Sequence, residues 1–131
     1  MKKTKIAILG STGSIGISTL EVIKNDKSKF SIELLTANNN YIKLIEQAKI
    51  FNVKNVLIKN KIFFNKVKHN LRNTNTKVFC GEKPISKILK KNKLDITVSS
   101  IVGIAGLQPT LEAMGISKKI AIANKEAIIC G

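Results

Sequence analysis

Three observations predict an α/β fold built on a doubly wound parallel sheet, three layers deep in the order α/β/α. Short apolar runs alternate with stretches of helical periodicity along the whole chain, which is the pattern of βαβ units. The first strand is expected over Lys5-Ile6-Ala7-Ile8-Leu9, an apolar run of the kind that a strand covered on both faces requires. A glycine turn, Gly10-Ser11-Thr12-Gly13-Ser14-Ile15-Gly16, follows it directly and leads into a helical pattern.

The remaining elements follow in order. Ile15, Leu20, Val22 and Ile23 predict one face of a helix ending near Asn25. Residues 30–36 predict the second strand. Asn38, Asn39 and Asn40 then form a loop, with Asn40 placed as N-cap of a helix that buries Ile42, Leu44, Ile45 and Ala48. Residues 54–58 predict a third strand, 61–71 a lysine-rich amphipathic helix and 77–80 a short fourth strand. Residues 82–91 predict a helix with Pro84 in its first turn, where a missing N–H is harmless. Residues 94–99 predict a fifth strand, Gly103 and Gly106 a loop, 109–114 a helix and 119–123 a sixth strand. Six strands with intervening helices make a complete Rossmann-type sheet, expected as one domain over residues 1–131.

Composition narrows the function. A length of 131 residues suits one core, and a hydrophobic fraction of 44% is enough to pack it. No apolar run reaches the roughly 20 residues that a bilayer span needs, so no membrane partner is expected. The basic start precedes a strand-like run and a glycine turn rather than the apolar core of a signal peptide, so the expected location is cytoplasmic. Cys80 and Cys130 form no CxxC pair and His69 is the single histidine, which favours free thiols over a metal site or a disulfide.

The net charge of +15 would attract phosphates of every kind. Of 23 basic residues, however, only Arg72 is an arginine, and the lysines are spread along the chain. Base-edge readout favours arginine, and Tyr41 with five phenylalanines is a thin supply of stacking rings. Lys, Asn and Ile are all abundant and share A/T-rich codons, which explains the charge without a polyanionic partner. No nucleic-acid partner is expected.

The glycine turn carries the chemistry. Gly10 permits the tight turn, Gly13 lets a pyrophosphate approach the backbone, and Gly16 lets the helix pack closely on the strand. The helix N-terminus offers unpaired amides and a positive dipole end, and Ser11, Thr12 and Ser14 add hydroxyl donors. The spacing is GxxGxxG rather than GxGxxG, and such glycines also serve purely structural turns. Their place between a buried strand and a helix favours a nucleotide.

Two further pointers lie at strand ends. NAD-binding domains place a carboxylate after the second strand to hold the ribose 2′-hydroxyl. Here that point reads Thr36-Ala37-Asn38-Asn39-Asn40, which favours NADP; the alternative is an ordinary asparagine-rich loop. After the sixth strand, Asn124, Lys125 and Glu126 would bring a donor, a cation and a carboxylate to the sheet edge where ligands sit. In so basic a chain, Lys125 could equally be solvated surface.

Taken together, residues 8–16 (ILGSTGSIG), 35–40 (LTANNN), 101–111 (IVGIAGLQPTL) and 122–126 (IANKE) resemble the N-terminal domain of 1-deoxy-D-xylulose 5-phosphate reductoisomerases. The turn alone is shared more loosely with aspartate-semialdehyde dehydrogenases. The resemblance implies an NADPH-dependent enzyme of non-mevalonate isoprenoid biosynthesis. Such enzymes rearrange 1-deoxy-D-xylulose 5-phosphate on Mg or Mn and reduce the aldehyde to 2-C-methyl-D-erythritol 4-phosphate. It implies that Thr12, Gly13, Ser14 and Ile15 hold the pyrophosphate, and that Asn38, Asn39 and Asn40 surround the adenosine ribose and its phosphate. Asn124 and Glu126 would contact the cofactor and Lys125 the sugar phosphate. Some relatives carry a basic residue where Asn39 stands, which bears on how tightly a 2′-phosphate is held.

On this resemblance residues 1–131 are the cofactor-binding portion of a homodimeric enzyme, as a fragment or a truncated product. The metal ligands, lid and C-terminal domain would lie beyond Gly131, and this portion alone is expected to be inactive. The alternative is a stand-alone, non-catalytic nucleotide-binding module.

Overall fold

The computed structural model describes residues 2–89 and 94–99, together with the backbone of 117–122. The chain runs β1 (Thr4–Leu9), α1 (Ser14–Lys24), β2 (Phe30–Ala37), α2 (Tyr41–Phe51), β3 (Asn55–Ile58), α3 (Phe64–Asn70), β4 (Lys77–Cys80), α4 (Ile85–Ile88), β5 (Leu94–Ser99) and β6 (Ser117–Ile122). All neighbouring strands pair in parallel, in the order β4-β3-β2-β1-β5-β6.

That order explains the two helical layers. The chain steps outward from β1 to β4, then returns to lay β5 on the other side of β1. Parallel crossovers are right-handed, so reversing direction moves the connection to the opposite face. Leu20, Ile23, Leu44, Ala48 and Val67 of α1, α2 and α3 accordingly pack on one face against Ile6, Ile8, Leu35, Val56 and Ile58. Ile85 and Leu89, in and after α4, pack on the other face against Ala7, Leu9, Leu34, Leu57 and Leu94. The predicted double winding is therefore present, with its switch point between β1 and β5.

β2 contains the one register slip recorded between β1 and β2. Ile6 pairs with Ile32 but Ala7 pairs with Leu34, which leaves Glu33 as an extra residue. A one-residue insertion exchanges the two faces of the strand beyond it. The buried Glu33 carboxylate accepts a 2.6 Å hydrogen bond from the Ser31 hydroxyl and lies 3.4 Å from the Lys54 ammonium. A glutamate is thus tolerated at a buried position of β2.

Several expectations are corrected. α1 turns Gly16, Leu20 and Ile23 inward, while Ile15 and Val22 are 45% and 68% exposed. Gly16 is the point of closest approach, and spacing of four and three residues from it selects the buried stripe. Ile42, beside the N-terminus of α2, is likewise exposed. The helix expected over 61–71 begins as a 3-10 turn, Lys61–Phe63, before α3. The helix expected over 82–91 is the single turn α4. Pro84 has an extended backbone (φ −63°, ψ 145°) and precedes the helix rather than opening its first turn.

Cys80 is a half-buried free thiol. Cys130, the 103/106 glycine loop, the 109–114 helix and residues 90–91 and 123 lie outside the described residues. Among the described residues no helix is long and apolar enough to cross a membrane.

Candidate functional site

The glycine turn leaves the carboxyl end of β1 at the switch point, where an open α/β sheet has its crevice. Gly10 sits at φ +78°, a left-handed conformation that favours glycine. Its amide donates to the Thr36 carbonyl at 3.1 Å and lies 3.0 Å from the Thr36 hydroxyl oxygen. The Ser11 amide donates to the same carbonyl at 2.9 Å. The turn is thereby pinned to the end of β2.

Gly16 and Gly13 answer to different constraints. A Cβ on Gly16 would stand 2.5 Å from the Ser11 Cα and 2.6 Å from the Gly10 and Ser11 carbonyl oxygens, all rigid backbone. Only glycine lets α1 lie this close to the turn. At Gly13 the backbone is ordinary extended chain (φ −81°, ψ 173°), and a Cβ would meet nothing nearer than the Gly10 carbonyl oxygen at 3.6 Å. Neither backbone strain nor internal packing requires glycine there. The space it leaves is open to solvent.

Gly13 is also the N-cap of α1 and supplies no capping side chain. The first intrahelical bond runs from the Ile17 amide to the Gly13 carbonyl at 2.9 Å. Among the described residues, the Ser14, Ile15 and Gly16 amides have no acceptor. Three donors at the positive end of a helix, beside a gap that a Cβ would fill, form an anion cradle. Thr12 is partly exposed and Ser14 exposed at its rim.

Ser11 does not join that rim. It is fully buried, and its hydroxyl donates to Gln47 Oε1 at 2.8 Å while Gln47 Nε2 donates to the Ser11 carbonyl at 2.9 Å. Its expected role as a phosphate donor is corrected to a structural one. Sequence reasoning missed Gln47, although a glutamine between Leu44 and Ala48 on a buried stripe marked a polar group needing a partner.

The asparagine loop lies at the neighbouring strand end. Asn40 caps α2, its side chain accepting from the Lys43 amide at 3.2 Å as expected. The Tyr41 amide donates to the Asn39 carbonyl at 2.8 Å, and the Asn60 amide to the Asn38 carbonyl at 3.0 Å. Asn60 Nδ2 donates to Asn39 Oδ1 at 2.9 Å. Asn60 was not singled out from the sequence; its signal was an asparagine at a strand end just ahead of a helical turn. Its Oδ1 accepts from the Ile62 amide at 3.1 Å.

Asn124, Lys125 and Glu126 lie outside the described residues. Among the described residues, no three His, Cys, Asp or Glu side chains gather as a metal site.

Sheet order, switch point and glycine turn define the class: a doubly wound Rossmann-type domain. A family model described as 1-deoxy-D-xylulose 5-phosphate reductoisomerase matches residues 6–131, and the chain belongs to that family. It is 52% identical over 128 residues to a protein of that name from Pelagibacter ubique, covering 97% of this chain and 33% of the relative. The relative of the same name from Buchnera aphidicola is 43% identical over 130 residues, again covering 97% and 33%. The Zymomonas mobilis reductoisomerase, solved in complex with NADPH, superposes with a TM-score of 0.90 at 33% identity, over 98% of this chain and 34% of that one. A reductoisomerase solved with NADPH, fosmidomycin and magnesium gives 0.86 at 32% identity, over 96% of this chain and 31% of that one. The chain spans about a third of the length of the curated relatives it matches.

Proposed function

We propose that this chain is the NADPH-holding part of a reductoisomerase that converts 1-deoxy-D-xylulose 5-phosphate to 2-C-methyl-D-erythritol 4-phosphate. The observation that carries the reading is the turn: Gly13 is unexplained by packing among the described residues and sits beside three amides that have no acceptor among them. That arrangement fits a dinucleotide pyrophosphate. Thr12, Gly13, Ser14 and Ile15 would hold it. Asn38, Asn39 and Asn40 would receive the adenosine ribose and its 2′-phosphate, Asn124 and Glu126 would contact the cofactor, and Lys125 would reach the sugar phosphate. When bound, NADPH supplies the hydride for reduction.

Residues 1–131 are proposed to bind cofactor without turning over substrate, the Mg or Mn ligands being supplied by other parts of the homodimeric enzyme. Among the described carboxylates, Glu33 is buried with Ser31 and Lys54, and Asp95 accepts from the Lys5 amide at 2.9 Å. Asp26, Glu46 and Glu82 each pair with a lysine, and Glu21 lies exposed on α1. Among the described residues these carboxylates do not gather in threes, with one another or with His or Cys, as a hard-oxygen site would require.

Calorimetric titration tests the reading. NADPH should bind in the micromolar range or more weakly, and more tightly than NADH. NADH binding as tightly would overturn the NADP assignment. With 1-deoxy-D-xylulose 5-phosphate and Mn²⁺ added, these residues should oxidise no NADPH above the rate of a Gly13→Val control. Turnover above that control would overturn the division of labour.

A further inference from the structure

We propose that Asn60 is a positioning residue that sets the preference for a 2′-phosphorylated dinucleotide by fixing which way the Asn39 carboxamide faces. The proposal rests on the NADPH reading above and deepens it. The loop after β2 has its oxygens turned inward: the Asn38 and Asn39 carbonyls accept from the Asn60 and Tyr41 amides, and Asn40 Oδ1 accepts from the Lys43 amide. Asn39 would be the exception, since an exposed carboxamide can present either its oxygen or its NH₂ group.

Asn60 removes that choice. Its backbone amide is tied to Asn38 and its Oδ1 to the Ile62 amide, so the group left to face Asn39 is its own Nδ2 donor. Asn39 must answer with Oδ1, at 2.9 Å. Its NH₂ group, which has no partner among the described residues, becomes the outward one. A phosphate accepts hydrogen bonds and cannot donate them when fully ionised, whereas a ribose 2′-hydroxyl is well served by an acceptor. Fixing the donor outward therefore discriminates between the two. Lys59, the neighbouring cation, is engaged 3.5 Å from Glu82.

The test is the ratio of NADPH to NADH affinity in the full chain, measured by calorimetry for the wild type, N60D and N60A. N60D keeps an oxygen to accept from the Ile62 amide, so the local turn survives. It offers Asn39 an acceptor in place of a donor, which would reverse the Asn39 carboxamide and turn its oxygen outward. The expected result is a fall of about tenfold or more in the NADPH:NADH affinity ratio, the scale of a lost hydrogen bond to a charged group, with NADH binding kept or improved. N60A, which releases Asn39 without adding the negative charge of N60D, should fall between, and an N60A ratio equal to the wild type would show that N60D acts by charge repulsion alone and would overturn the proposal. A purely structural role would weaken both cofactors alike and leave the ratio unchanged, and that result would overturn the proposal. A wild type without NADPH preference would overturn the underlying reading as well, and is seen before any variant is made.

Discussion

At the scale of single residues, the three glycines of one motif do three separate jobs, and substitution should separate them. A Cβ at position 16 collides with backbone at 2.5–2.6 Å, so Gly16→Ala should destabilise the fold by at least the roughly 1–3 kcal/mol typical of overpacking. A side chain at position 13 meets no such obstacle. Gly13→Val should lower stability only by the roughly 1 kcal/mol or less of a poorer N-cap and should lose NADPH binding. Chemical denaturation read beside cofactor titration checks both, and a Gly13→Val protein that binds normally would make the turn merely structural. The turn at Gly10 and the close packing at Gly16 were legible in the sequence because strand, turn and helix are contiguous and each glycine's place among them dictates its duty. The Ser11–Gln47 and Asn39–Asn60 pairs were not, because their partners lie 36 and 21 residues apart and meet only once the strands are ordered.

At the scale of elements, α2 does more than cover the sheet. Through Gln47 it grips the turn that precedes α1, and through the Asn40 cap it anchors the loop that follows β2. Both halves of the candidate cofactor site thus hang on one helix. Ser11→Ala and Gln47→Leu should each destabilise by about 1–3 kcal/mol, since each leaves a buried polar group unsatisfied. The double mutant should lose clearly less than the sum, as expected of groups in direct contact. Strict additivity in a denaturation cycle would mean that the two do not act together. The elements themselves were largely readable from periodicity, with β4 and β5 matching residue for residue. What periodicity missed was rotation and length. The close approach at Gly16 sets which stripe of α1 faces the sheet, and extended backbone at both Pro84 and Leu89 confines α4 to one turn.

At the scale of the whole molecule, the order β4-β3-β2-β1-β5-β6 places the turn after β1 and the loops after β2 and β3 side by side along one sheet edge. Helical layers, switch point and cradle all follow from a single reversal of the chain between β4 and β5. The sequence alone made the layers readable, because alternating strands and helices admit few right-handed solutions, whereas the strand order that places the switch came from the structure. The candidate residues at 124–126 lie outside the described residues. The central claim is that the dinucleotide sits on this edge with its pyrophosphate on the start of α1, and amide NMR titration with NADPH reads that position directly. The account predicts that the amides of Thr12 to Gly16 and the side-chain NH₂ of Asn39 shift together, saturating at one affinity. Shifts confined to another surface, or none at all in these amides at saturating NADPH, would contradict it.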